Sequence, residues 1–147
     1  MDISGRIRSL RREMADENID IYIVPSDDFH QSEYVGDHFK AREFMTGFTG
    51  SAGTAVFTKD RAGLWTDGRY FIQAEQELAG SGVTLYKAGE PGVDTIPEFL
   101  EKELPDGGVI GFDGRTVSLG VGENYEKIAA GKGGTVRYTE DLAGRIW

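Results

Sequence analysis

Cysteine is absent from all 147 residues. That removes disulfides, thiolate metal sites, iron–sulfur clusters and cysteine nucleophiles from consideration. Histidine is nearly absent as well: only His30 and His38 occur. No segment approaches the ~18 consecutive apolar residues of a membrane-spanning helix. The first fifteen residues hold Arg6, Arg8, Arg11 and Arg12 but no apolar stretch, so they are not a secretory signal. Asp2, Glu13, Asp16 and Glu17 argue against a mitochondrial presequence. Basic charge is in short supply, with 16 Lys and Arg against 25 Asp and Glu, a formal net charge of −9. Residues 1–73 and 74–147 are each net acidic. A chain of this balance is expected to bind neither nucleic acid nor an anionic membrane. With neither cysteine nor a leader, a cytoplasmic location is the expectation.

What is present suits one globular domain with its own core. Glycine, at 21 residues, is roughly twice its usual share and calls for tight turns or close backbone contacts. Ile3, Ile7, Leu10 and Met14 fall at helical spacing and predict an amphipathic helix ending near Asn18. Ile21–Val24 is a β-branched run stopped by Pro25, hence a strand. Ala41–Met45 reads as a short helix stopped at Gly47. Thr54–Thr58 and Leu64–Thr66, joined by a turn over Lys59–Gly63, read as a hairpin. Arg69–Ala79 reads as a helix with Phe71, Ala74 and Leu78 on one face. Beyond it, strands at Val83–Tyr86, Val109–Phe112 and Val136–Tyr138 alternate with helices at Thr95–Leu104 and Leu119–Ala130. This alternation predicts an α/β fold with a largely parallel region, and the hairpin makes the sheet mixed.

Several clusters could carry chemistry. Gly47, Gly50 and Gly53 form GxxGxxG, which is neither a dinucleotide fingerprint nor a Walker loop. The loop precedes a strand, whereas phosphate loops follow a strand and open a helix. A structural loop is the favoured reading. Ser51 lacks the glycine two positions earlier that a nucleophile elbow needs, so its hydroxyl is expected to bond within the loop. Asp27, Asp28, His30, Glu33, Asp37 and His38 resemble a metal set in composition, but no helical spacing fixes two ligands on one face. A hydrogen-bonding loop is preferred to a metal site. Asp67 stands where it can cap a helix. Arg69 can pair with a carboxylate, either within the chain or on a ligand, and the internal pair is favoured.

Taken together, three segments resemble one family. Pro25–Ser26–Asp27–Asp28–Phe29–His30–Gln31–Ser32–Glu33–Tyr34 is similar to the PSxDxHxSEY segment of Xaa-Pro aminopeptidases. Arg42 with Gly47–Phe48–Thr49–Gly50–Ser51–Ala52–Gly53–Thr54–Ala55 resembles their R…GFtGSaGTA segment. Leu64–Trp65–Thr66–Asp67–Gly68–Arg69–Tyr70–Phe71–Ile72–Gln73–Ala74 resembles their LWTDGRYFxQA. The three occur in order, at family spacing, over residues 25–74.

The resemblance implies the creatinase/prolidase N-terminal domain: an α/β, ribonuclease H-like fold with a mixed sheet of about five to six strands flanked by helices. The whole chain, residues 1–147, would be that one domain, with no catalytic pita-bread domain. In the family the chemistry belongs to that C-terminal domain, which carries two metal ions, usually manganese, and releases the residue preceding proline. The expected function is therefore a non-catalytic domain that shapes the active-site entrance and contributes to subunit contacts. Its partners would be the catalytic domain, a peptide with proline second, and a second subunit in a homodimer. The chain alone is expected to be inactive and to hold no metal. Arg69 and Tyr70 are the candidates for contact with substrate or a neighbouring domain. His30, Glu33, Arg42, Gly47, Gly50, Ser51, Gly53 and Asp67 are expected to form a structural loop layer. The alternatives are a stand-alone small-ligand or protein-binding module, and the N-terminal domain of a prolidase- or creatinase-like enzyme.

Overall fold

The computed structural model describes residues 2–25, 42, 45–48, 53–113, 119–138 and 142. Helix α1 (Ile3–Asp16) begins at Asp2, whose carboxylate accepts from the Gly5 amide at 2.8 Å. Its apolar stripe is the one read from the sequence: Ile7, Leu10 and Met14 are buried and Ile3 packs at the edge. The helix closes two residues before Asn18, which turns the chain with φ +58°. Asparagine tolerates this left-handed conformation better than most residues.

Strand β1 (Ile21–Pro25) follows and lies in the interior of the sheet. Strands β2 (Thr54–Phe57) and β3 (Ala62–Thr66) form the expected antiparallel hairpin. A short 3-10 turn (Gly68–Tyr70) leads into helix α2 (Phe71–Leu78), then strand β4 (Thr84–Lys87). Helix α3 (Ile96–Glu103), strand β5 (Val109–Phe112), helix α4 (Leu119–Gly131) and strand β6 (Thr135–Arg137) complete the order. The strands form one six-stranded sheet, β4-β3-β2-β1-β5-β6. Only β2 runs against the rest: it is antiparallel to β1 and β3, while β4 follows β3 and both β5 and β6 follow β1.

Alternation along β1 shows why the sheet carries two cores. Tyr22 and Val24 point to the side covered by α1 and α2, with Phe57, Leu64, Ala74 and Leu78. Ile21 and Ile23 point to the side covered by α3 and α4, with Val56, Phe99, Leu100, Ile110 and Ile128. The crossover β3-α2-β4 moves outward in one direction and β5-α4-β6 in the other. Right-handed crossovers of opposite travel put their helices on opposite faces, as found.

The largest boundary difference from the sequence expectation is at Gly63. Gly63 is a strand residue, not part of the turn, which is confined to Thr58–Arg61. The reason is packing: the rings of Trp65 and Tyr86 stack with centroids 4.1 Å apart, and a Cβ on Gly63 would stand 2.7 Å from Tyr86 Cε2. Glycine inside a strand often marks such a close approach. Smaller differences include a 3-10 turn before α2, the end of β2 at Phe57 rather than Thr58, β4 at Thr84–Lys87 rather than Val83–Tyr86, and the end of β6 at Arg137, before Tyr138.

Candidate functional site

Strand polarity decides at which edge of the sheet the segments carrying the three sequence motifs are attached. β1 ends at Pro25, β2 begins at Thr54 and β3 ends at Thr66, and the register places Pro25 beside Thr54 and Thr54 beside Trp65. The segments leaving β1, entering β2 and leaving β3 are therefore all attached at the same edge of the sheet. That edge also carries the carboxyl ends of β4, β5 and β6. In open α/β sheets the crevice outside the carboxyl ends, where the crossovers change direction, is where ligands and partners bind.

The described residues at this edge form a connected stack. Arg42 lies at its base, 1% exposed, with its guanidinium carbon 4.9 Å from the centre of the Phe48 ring. Its Nη1 donates to Gly53 O at 3.4 Å. Thr46 ties this corner, its hydroxyl donating to Arg42 O at 2.9 Å and accepting from the Phe48 amide at 3.1 Å. Gly47 then reverses the chain with φ +82°, the left-handed turn that ends a helix most cheaply in glycine. Gly53 is needed for closeness rather than for φ: a Cβ there would come within 3.2 Å of Arg42 Nη1 and 3.3 Å of Phe48 Cε2.

Above Phe48 stands Tyr70, edge-to-face at 6.0 Å and 83°. Above Tyr70 stands Arg69, with its guanidinium carbon 5.2 Å from the ring centre. Asp67 holds Arg69 at two points, accepting from Nε at 3.1 Å and from Nη2 at 2.9 Å, and also accepts the Arg69 amide at 3.0 Å. One carboxylate thus caps the 3-10 turn and fixes the guanidinium. The Arg69 hydrogen bond holds the Asp67 carboxyl below the usual carboxylate range, and Asp67 in turn raises the Arg69 guanidinium. The two side chains remain open to solvent, Arg69 at 71% and Asp67 at 46%.

Of the residues singled out in the sequence, Arg42, Gly47, Gly53, Asp67, Arg69 and Tyr70 are brought together here. His30, Glu33, Gly50 and Ser51 lie outside the described residues. Among the described residues no group of three or more His, Asp or Glu could hold a metal ion, and no helix is long and apolar enough to cross a membrane. Sequence reasoning missed two features of this edge. Phe48 is fully buried between Arg42 and Tyr70, and Ile72, next after Phe71, is 74% exposed. The position of Ile72 off the Phe71–Ala74–Leu78 stripe was the available signal.

Comparison with known proteins bears on the family and the fold. Residues 6–142 match the family model described as the creatinase/prolidase N-terminal domain. Aminopeptidase P2 of Arabidopsis thaliana is 42% identical over 99% of this chain and 21% of its own length. Xaa-Pro aminopeptidase 2 of Rattus norvegicus is 43% identical over 83% of this chain and 18% of its own length. The structure of an X-prolyl aminopeptidase from Caenorhabditis elegans, described as a cytosolic enzyme with a di-nuclear active site, superposes with a TM-score of 0.86 at 33% identity. It covers 100% of this chain, which accounts for 26% of that structure. The chain spans about a fifth of the length of the curated relatives it matches. From the family match, the sheet order and the relatives alike, the chain belongs to the creatinase/prolidase N-terminal domain family, as an N-terminal domain of the Xaa-Pro aminopeptidase type.

Proposed function

We propose that this chain works as the non-catalytic N-terminal domain of a longer, cytoplasmic Xaa-Pro aminopeptidase, shaping the entrance to an active site carried by the rest of that enzyme. The observation that carries the reading is the mismatch of coverage: similarity runs through 99% of this chain but only 21% of the Arabidopsis relative. The catalytic portion would hold two manganese ions or similar divalent metals and would cleave the bond between an N-terminal residue and a following proline. Subunits would pair as a homodimer. Among the described residues no group of three or more His, Asp or Glu could hold such a centre, and the catalytic step is assigned to the rest of the enzyme.

Arg69 and Tyr70 are the residues assigned to the entrance, facing either the peptide or the adjoining domain. Two features support the assignment: Arg69 stands at the carboxyl edge of the sheet, and its side chain is pre-oriented by Asp67 while still exposed. The test is Arg69→Ala in the longer enzyme, assayed on an Xaa-Pro peptide with manganese. The expected loss in kcat/KM is about ten-fold. The same substitution should leave the melting temperature of the 147-residue chain nearly unchanged, and that chain alone should show no turnover. Unaltered activity, or release of the N-terminal residue by the chain alone, would sink the reading.

A further inference from the structure

The large apolar side chains exposed among the described residues are Ile72, Val121 and Tyr138, and Ile72 is the most exposed of them at 74%. Single exposed apolar residues are ordinary, so its neighbours decide whether it means anything. Ile72 occupies the first turn of α2, whose own packing face is supplied by Ala74 and Leu78. It adds nothing to that face, and a β-branched residue is a mediocre helix former. Three residues earlier stands Arg69, already neutralised by Asp67. Between them lie Tyr70, half-buried on Phe48, and Phe71, with Lys87 Nζ 5.7 Å from its ring centre. Lys87 is answered by Glu75 at 2.7 Å. The stretch from Arg69 to Ile72 therefore offers an aliphatic side chain, aromatic rings and charges that are already paired.

Such a surface suits a protein contact better than a small charged ligand. A neutralised Arg69 attracts a free carboxylate weakly. It nevertheless keeps donors for neutral acceptors, because Asp67 takes two of the five guanidinium N–H groups. Tyr and Arg beside a large apolar side chain is the composition found at the centre of interfaces. We infer that Ile72 is an apolar anchor through which this domain docks on the remainder of the longer polypeptide, with the Asp67–Arg69 pair at its rim. The occupant follows from length and position: about three-quarters of the solved Caenorhabditis elegans chain lies outside the matched part, and Ile72 stands in the first turn of α2, just past the carboxyl end of β3. The inference rests on the proposal that the chain is part of a longer enzyme, and it names the contact that proposal leaves open.

The absence of cysteine provides the test. Ile72→Cys introduces a single thiol, and Glu101→Cys places a reference thiol on an exposed position of α3. Each variant is alkylated in the 147-residue chain and in the longer protein, and modification is read by peptide mass spectrometry, so that other cysteines do not interfere. In the short chain both thiols should react at similar rates. In the longer protein Cys at 72 should react about ten-fold more slowly or less, with Cys at 101 unchanged, since thiol reactivity follows access. Equal reactivity at 72 in both proteins would overturn the docking assignment. Protection in the short chain that grows with its concentration would also overturn it, in favour of a second copy as occupant. The assay reads contact, not catalysis, so a longer protein that protects position 72 but fails to cleave Xaa-Pro peptides would refute the activity and leave the docking surface standing.

Discussion

Arg69 owes its orientation to a residue only two positions away. Asp67 takes a backbone amide and two guanidinium N–H groups, so the turn and the side chain are fixed by the same carboxylate. The consequence is testable by pH. Because the Asp67 carboxyl lies below its ordinary range in the folded chain, chiefly through the Arg69 hydrogen bond, the pair is intact at neutral pH. Its contribution is lost only as pH falls through that lowered value, since a depressed carboxylate stabilises the fold above its unfolded pKa. Carboxyl-carbon NMR should therefore show Asp67 titrating below the usual aspartate range of about 3.9, and Arg69→Ala should move it upward. An Asp67 midpoint that ignores Arg69→Ala would mean the pair does not persist in solution.

At the scale of elements, α3 shows how its first turn and its packing cooperate. Thr95 accepts from the Glu98 amide at 3.2 Å and the Glu98 carboxylate accepts from the Thr95 amide at 3.0 Å, a closed capping box. Pro97, in the first turn, costs no hydrogen bond there. The helix then drives Phe99 and Leu100 into the core beside Trp65, whose indole N–H donates to Asp94 O at 2.8 Å just before the cap. Lys102 returns to Asp94 at 3.0 Å and closes the same corner from the last turn. Thr95→Ala should lower stability by about 1 kcal/mol, the usual value of a lost N-cap. Denaturant melts are the measurement, with a shifted midpoint and an unchanged m-value expected. A neutral effect would show that the Asp94 corner alone holds the helix start.

At the scale of the whole molecule, the two cores share one sheet. Residues of β1 alternate between them one by one, so neither core can open without disturbing the strand that carries both. Long-range ties join distant parts of the chain. Arg137, on β6, donates to the Glu17 carbonyl and pairs with its carboxylate at 3.0 Å, joining the sheet edge to the end of α1. The Leu142 amide donates to the Tyr22 hydroxyl at 3.1 Å, tying the far end of the chain to β1. Unfolding should accordingly be a single transition. In a Trp147→Phe background, Trp65 fluorescence reports the α3 side and far-ultraviolet circular dichroism reports the whole. Coincident midpoints are expected; separated ones would mean the faces unfold independently.

The amino-acid sequence by itself determined the elements and their order, because periodicities of 3.6 and 2 are properties of the backbone and appear wherever one face must be buried. Ile3, Ile7, Leu10 and Met14 declared α1, and the β-branched run before Pro25 declared β1, without reference to anything distant. The family was legible too, since it is written in contiguous motifs. Tertiary structure decided what those motifs do to one another. Phe48 sits buried between Arg42 and Tyr70, and Gly63 belongs to a strand beneath two stacked rings. Each of these depends on which element packs on which side. That is set by strand polarity and by contacts between residues far apart in sequence, such as Trp65 with Asp94, and local spacing carries no record of either.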